Sequence, residues 1–284
     1  MHLEIFMAIG YLLMSSAIGL SLFNTFVVYT YPQLDNVERI NKVLIGASLI
    51  FMVLGALCTF LHLGNKLNVL FILTQITSSW LTRESWLIGL FIVLSAVYMF
   101  YKVKSKIEVT NKTNRVFTTL LSVIGIVLIM FMSFAYMAVG SIPVWNNASV
   151  LVTNLAEALA LGAALGALIV CFIFKGNVSD LRKITSYLGV CIALAVFAYI
   201  VNIASVLLLP EGAYIINGNI ISLSIVKALA LLAALVVTYI WSKKSKVLNK
   251  YTASIVLITV LVVLSDVISR VLHFIVATHM GYNF

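Results

Sequence analysis

Of 284 residues, 63% are apolar and only 10% are charged, against roughly 25% charged in soluble domains, and the mean hydropathy is +1.14. Such a chain is an integral membrane protein, which excludes a soluble enzyme and leaves any large extramembrane activity to partner subunits. The net charge of +9 implies no nucleic acid: carried in the loops, it orients the chain and draws anionic lipid.

A spanning helix needs about 20 predominantly apolar residues. The sequence predicts eight, over residues 3–30, 43–63, 85–101, 117–139, 150–174, 184–209, 222–241 and 251–276. Alternating ten-residue strands are absent, which argues against an outer-membrane barrel. The expected fold is all-α, with eight transmembrane helices in two four-helix bundles and residues 1–284 forming one membrane-anchor domain. The first span opens on Met1-His2-Leu3-Glu4. An acid stands where a signal peptide carries basic residues, and no clean Ala-x-Ala site follows, so this span is expected to remain in the mature protein.

Fourteen of the 18 Lys and Arg residues fall in the loops after the first, third, fifth and seventh spans, where Lys102, Lys104, Lys106, Lys112 and Arg115 form the largest group. The opposite loops carry only Lys66 and Arg83. By the positive-inside rule the basic loops are cytoplasmic, and both termini lie on the non-cytoplasmic side of the inner membrane.

The second span closes on Phe60-Leu61-His62-Leu63-Gly64-Asn65, and the third opens on Thr82-Arg83-Glu84-Ser85-Trp86. A histidine and a carboxylate therefore flank one outer loop, a titratable pair at the membrane edge where chemistry is expected. The loop itself, 64–84, contains the apolar run Leu67–Leu73, which fits a segment lying along the interface. Cys58, Cys171 and Cys191 sit inside apolar spans without metal-site spacing and read as packing residues. Pro143 and Pro210 stand at outer span ends, where they stop helices without breaking a buried hydrogen bond. Gly162 and Gly166 give the fifth span a small-residue packing face.

An ionisable residue at mid-span costs about 2.5–3.5 kcal/mol on insertion scales, so each needs a partner or a cavity. In the eighth span Asp266, Arg270 and His273 fall at i, i+4 and i+7, on one face of the helix. Asp266 and Arg270 can neutralise each other. Lys227 of the seventh span and Glu157 of the fifth form a second possible pair.

Three readings of His62 are open at this level. It can hydrogen-bond a helix-end carbonyl. It can join His273, at similar depth, as the two axial ligands of a b-type haem. It can hydrogen-bond a quinone ring, with Glu84 taking the proton that leaves on oxidation. A function of another class, a secondary transporter using Asp266, Lys227 and Glu157, suits the same buried charges. No matching pair of Gly/Pro-interrupted spans supports the transporter. A neighbouring iron–sulfur protein would favour an electron-transfer anchor.

Four segments carry a family resemblance: Leu61-His62-Leu63-Gly64, Ser79-Trp80-Leu81-Thr82-Arg83-Glu84, Tyr136 followed by Val139-Gly140-Ser141-Ile142-Pro143-Val144-Trp145, and Asp266-Val267-Ile268-Ser269-Arg270. In this order, and over the whole chain, they resemble the membrane-anchor subunit of dimethyl sulfoxide reductase (DmsC type), within a wider group of eight-span anchors that includes the polysulfide reductase anchor. The resemblance implies the quinol-oxidising subunit of an anaerobic respiratory molybdoenzyme, taking electrons from menaquinol and returning menaquinone. The electrons would pass to a four-cluster, ferredoxin-like iron–sulfur subunit and on to a molybdopterin catalytic subunit on the outer side. It implies no haem and no metal in this chain. His62 matches the family's quinol-site histidine and Glu84 its acid, and Tyr136, Asp266, Arg270 and His273 are the further candidates for contact with the quinol. Where the family pattern is His-Leu-Gly-x-Pro, this chain has Lys66 in place of the proline. The partner is expected to cover a weakly charged outer face formed by Lys66, Arg83, Glu84, Glu211 and His279 with Tyr136, Trp145, Tyr214 and Tyr282.

Overall fold

A computed structural model describes residues 2–33, 36–62, 72, 74–105, 112–174, 181–210, 218–244 and 248–279, without the side chains of 2–4, 62, 103, 105, 241–244, 248–249 and 276–279. Among these residues it is all-helical, with eight helices long and apolar enough to cross a membrane. They are α1 (His2–Thr30), α2 (Val37–His62), α3 (Trp80–Ser105), α4 (Lys112–Met137), α5 (Ser149–Ile173), α6 (Arg182–Leu207), α7 (Gly218–Lys244) and α8 (Leu248–His279). In hydrocarbon every backbone N–H and C=O needs an internal partner, and a continuous helix supplies it. The shortest of them has 25 residues, about 38 Å at 1.5 Å per residue, which exceeds the ~30 Å core of a bilayer.

Contacts between helix ends fix the alternation of direction. At the basic end, Lys102 of α3 pairs with Glu38 of α2 at 2.7 Å. Beside them Tyr98 of α3 donates to Asn41 Oδ1 at 2.7 Å and bonds Asn114 of α4, while Asn41 donates to Asn24 of α1 at 3.1 Å. Tyr31 accepts from the Ile184 N–H at the start of α6, and Thr185 bonds Tyr251 of α8 at 2.7 Å. At the other end Tyr11 of α1 meets Glu84 near the start of α3, Ser205 near the end of α6 bonds Ser149 of α5, and Tyr199 of α6 bonds the Ser224 carbonyl of α7. Polar side chains thus knit each end of the bundle, and mainly apolar side chains fill the space between.

α1 to α4 pack in sequence, with α4 returning to α1, and α5 to α8 do the same, with α8 returning to α5. The core does not split along that division, because α1 packs against α5 as well. Gly19 and Gly162 make this possible: a Cβ on Gly162 would collide with the Gly19 backbone, and one on Gly166 with the Phe23 ring. The small-residue face of the fifth span is therefore the seat of α1. One core cluster runs from Leu20, Phe23 and Leu44 through Ala160 and Ala164 to Leu188 and Ile258; the other joins Met14, Met52, Phe91 and Leu128 to Ile142, Trp145 and Phe274. Cys171 and Cys191 are buried in the first cluster, the packing role expected of them.

The helices begin earlier than their hydropathy suggests. α3 starts at Trp80 instead of 85, α4 at Lys112 instead of 117, and α7 at Gly218 instead of 222. The physical reason is visible in α3, where the polar residues that dilute the hydropathy of the first turns, Thr82 and Glu84, face the protein interior. Lys102 likewise belongs to helix α3, buried against Glu38, and not to a solvated loop.

Candidate functional site

Glu84 lies one turn inside α3 and is 2% exposed. Its Oε2 accepts a hydrogen bond from Tyr11 Oη of α1 at 3.3 Å. The entry to α3 is held rigidly. Thr82 Oγ1 donates to the Ile72 carbonyl, and the Arg83 guanidinium donates to the carbonyls of Ile76 at 2.9 Å and Thr77 at 2.6 Å. Arg83 also stacks over Trp80, 4.4 Å from the ring centroid, and Trp80 packs on Phe131 and Phe134 of α4.

From Tyr11 an aromatic cluster leads across the bundle. Its ring lies 5.3 Å from that of Tyr136, which sits 5.0 Å from Trp145 and 4.4 Å, edge on, from His273. Trp145 stacks on His273 at 4.7 Å and 8° and donates from Nε1 to the His273 carbonyl at 3.0 Å. The segment Val139–Trp145 makes this placement possible. Its backbone turns, Val139 N–H to Tyr136 O, Ile142 N–H to Val139 O and Trp145 N–H to Ile142 O, fold the chain back over the end of α4. Ile142 and Trp145 are thereby driven into the core.

Next to this cluster, the two ion pairs expected from the sequence form one network. Lys227 Nζ bonds Glu157 Oε1 at 2.7 Å and Ser269 Oγ at 2.8 Å. Arg270 lies 3.4 Å from Asp266 and 3.5 Å from Glu157, and it donates to Asn154 Oδ1 at 2.9 Å and Ser15 Oγ at 3.2 Å. Two cations and two carboxylates from α5, α7 and α8 are thus buried together. Each side chain has a counter-charge, the condition under which ionised groups are tolerated away from water.

Beside the network lies a cavity of about 380 Å³ between α5, α6, α7 and α8, bordered by Tyr199, Asn202, Lys227, Arg270 and His273 and by apolar side chains of α6 and α7. Its size falls in the range of small-molecule sites.

Of the residues singled out in the sequence, Glu84, Tyr136 and His273 are brought into one assembly, towards the end of the bundle opposite Lys102 and Glu38, by Tyr11 and Trp145, and Asp266 and Arg270 stand immediately beside it. His62 is the last residue of α2, and its side chain lies outside the described residues, as do Lys66, Glu211, Tyr214 and Tyr282 and the side chain of His279. The expected outer docking face is corrected on three residues. Glu84, Tyr136 and Trp145 are buried, because the first hydrogen-bonds Tyr11, Tyr136 packs edge to face with Trp145 and His273, and Trp145 stacks on His273. Tyr11, Ser15 and Asn154 went unremarked in the sequence. Each is an uncharged polar residue in an apolar span, a kind common in such spans, and only the contacts of Tyr11 with Glu84 and of Ser15 and Asn154 with Arg270 reveal their part.

No curated protein matches the chain. The family model for the DMSO reductase anchor subunit (DmsC) matches residues 1–276, nearly the whole length and all four segments named above. This multi-pass membrane protein therefore belongs to the DmsC family of DMSO reductase anchor subunits.

Proposed function

We propose that this chain is the quinol-oxidising anchor of an inner-membrane, anaerobic respiratory molybdoenzyme. Menaquinol binds near the outer face between the end of α2 and the start of α3, with His62 and Glu84 as its proton acceptors. Oxidation releases two electrons and two protons per quinol and leaves menaquinone. The electrons pass to an iron–sulfur subunit docked on the outer side and then to its molybdopterin catalytic partner, which determines the terminal acceptor. The protons leave to the outer water. No haem or metal in this chain is required, because the quinone carries the redox chemistry and the protein supplies binding, orientation and proton acceptors.

The observation that carries this reading is the Glu84–Tyr11 pair. A carboxylate placed at 2% exposure near the mouth of a membrane bundle, with no cation among its hydrogen-bond partners within the described residues, is costly and marks a functional position, and here a tyrosine hydroxyl holds one of its oxygens at 3.3 Å. Tyr11 continues into Tyr136 and His273, so the acceptor is set in a rigid aromatic wall suited to a planar ring. Arg270, joined to Asp266, Asn154 and Ser15, stiffens the back of that wall.

The test is turnover of the assembled complex with a quinol and, separately, with an artificial donor that reduces the iron–sulfur subunit directly. Replacement of His62 by a residue that cannot titrate is expected to abolish the first activity and spare the second. Unchanged quinol oxidation would refute the assignment.

A further inference from the structure

The cavity between α5 and α8 shares His273 and Arg270 with the back of the aromatic wall but is not bordered by Tyr11, Glu84 or Tyr136, and its walls divide by chemistry. Towards the lipid, Leu207, Ile221 and Ile225 both border the cavity and stand 60%, 49% and 53% exposed on the outer surface of α6 and α7. The opening is thus lateral and apolar. At the inner end stand Lys227, Arg270, His273, Asn154, Asn202 and Tyr199, while Glu157 and Asp266, the carboxylates that balance the two cations, lie behind and do not border the cavity.

This arrangement selects a ligand. A long apolar mouth opening to hydrocarbon fits an amphiphile whose tail remains in the membrane. The inner wall presents two cations with their carboxylates withdrawn, and cations select a head group that accepts hydrogen bonds. An ammonium has three protons; two of those on Lys227 go to Glu157 and Ser269, and one is left for an acceptor. The head must also be uncharged, because the two buried cations already have two carboxylates and an anion entering would lack a counter-charge. Tyr199, whose ring lies 4.4 Å from Lys227 Nζ, adds an aromatic surface for a flat ring.

We propose that this cavity is a second binding site, for the head group of an oxidised quinone, with its carbonyl oxygen towards Lys227 and its tail leaving past Leu207, Ile221 and Ile225. An oxidised quinone carries only acceptors, which matches the remaining Lys227 proton, whereas the α2–α3 site offers proton acceptors suited to the reduced form. The inference rests on the reading of the chain as a quinol anchor only in that both sites draw on one membrane pool.

The experiment is photolabelling of the assembled complex, in membranes, with a photoreactive naphthoquinone, followed by mapping of the labelled peptides. Label is expected on the α7 segment 220–228, displaced by excess unlabelled naphthoquinone and not by phosphatidylglycerol. Ala228→Phe, which fills the cavity, and Ile225→Trp, which obstructs its exposed mouth without disturbing the core, are both expected to abolish that label. Glu84→Gln is expected to leave it intact while slowing quinol oxidation. Absence of α7 label, its persistence in Ile225→Trp, or equal displacement by phosphatidylglycerol would overturn the second site. If α7 labels as expected but quinol oxidation does not depend on His62 or Glu84, the second site stands and the assignment of the first falls.

Discussion

Tyr11 and Glu84, 73 positions apart in the chain, meet at 3.3 Å inside the bundle, the hydroxyl of α1 donating to the carboxylate of α3. This contact turns a residue read as a loop-edge acid into a buried, oriented group. Glu84→Gln keeps the shape and removes the base. It is expected to lower quinol-dependent turnover by about 10²-fold or more, the scale of general-base catalysis, with a much smaller change in KM. Tyr11→Phe, which leaves the base but frees its orientation, should produce a lesser loss. Steady-state kinetics of the assembled complex with quinol and with an artificial donor separate these effects from faulty assembly. A Glu84→Gln complex with full quinol turnover would contradict the role.

The buried network of Glu157, Lys227, Asp266 and Arg270 is expected to behave as a unit. Lys227→Met leaves Glu157 with Arg270 alone, which already serves Asp266, and should destabilise by about 3–5 kcal/mol, the usual result of orphaning one partner of a buried pair. Lys227→Met combined with Glu157→Gln should recover much of that loss, because charge balance returns. Thermal unfolding of the purified chain in detergent, treated as a double-mutant cycle, measures the coupling. Additive effects would show that the four groups do not act together.

Gly162 is the point where α1 and α5 touch backbone to backbone, since a Cβ there would collide with the Gly19 backbone. Gly162→Ala is expected to push the helices apart and cost at least about 3 kcal/mol, the upper range of overpacking. Gly89, with nothing within 4 Å of its would-be Cβ, is the control. Gly89→Ala should be neutral or slightly stabilising, because alanine loses less chain entropy in a helix. Equal melting temperatures for both variants would argue against the close crossing.

The partner is expected on the face opposite the basic helix ends. Asn147 is a poor position for a cross-linking cysteine, as its Oδ1 accepts from the Ser149 N–H at 2.9 Å and holds the start of α5. Its neighbour Asn146 is exposed and does not serve that role. A cysteine at Asn146 should capture the iron–sulfur subunit, and one at Lys104, exposed at the basic end, should not. The reverse pattern would overturn both orientation and docking side.

Hydropathy alone made the eight spans legible, because the bilayer demands long apolar helices and tolerates few exceptions. The exceptions carried the site: Glu157, Lys227, Asp266 and Arg270 each stand out in sequence as a charge in an apolar run, and Glu84 as an acid at the edge of one. Pairing at four-residue spacing also showed, so Asp266 and Arg270 were readable as neighbours. What could not be read was contact between distant spans. Nothing local joins Tyr11 to Glu84 or Arg270 to Glu157. The inward turn of Trp145 depends on the fold of 138–148, and its amphipathic ring is as common at the membrane surface as in a core. For the same reason the cavity had no signal, since its walls come from four helices and many of its residues are the valines, isoleucines and leucines that any span contains.

The most direct measurement is the rate of menaquinol oxidation by the complete complex, compared with the same iron–sulfur and molybdopterin subunits purified without this chain. Both preparations are expected to reduce the terminal acceptor with an artificial donor, and only the complete complex with menaquinol. Menaquinol oxidation by the subunits alone, or none by a complete complex that remains active with the artificial donor, would contradict the quinol-oxidising role.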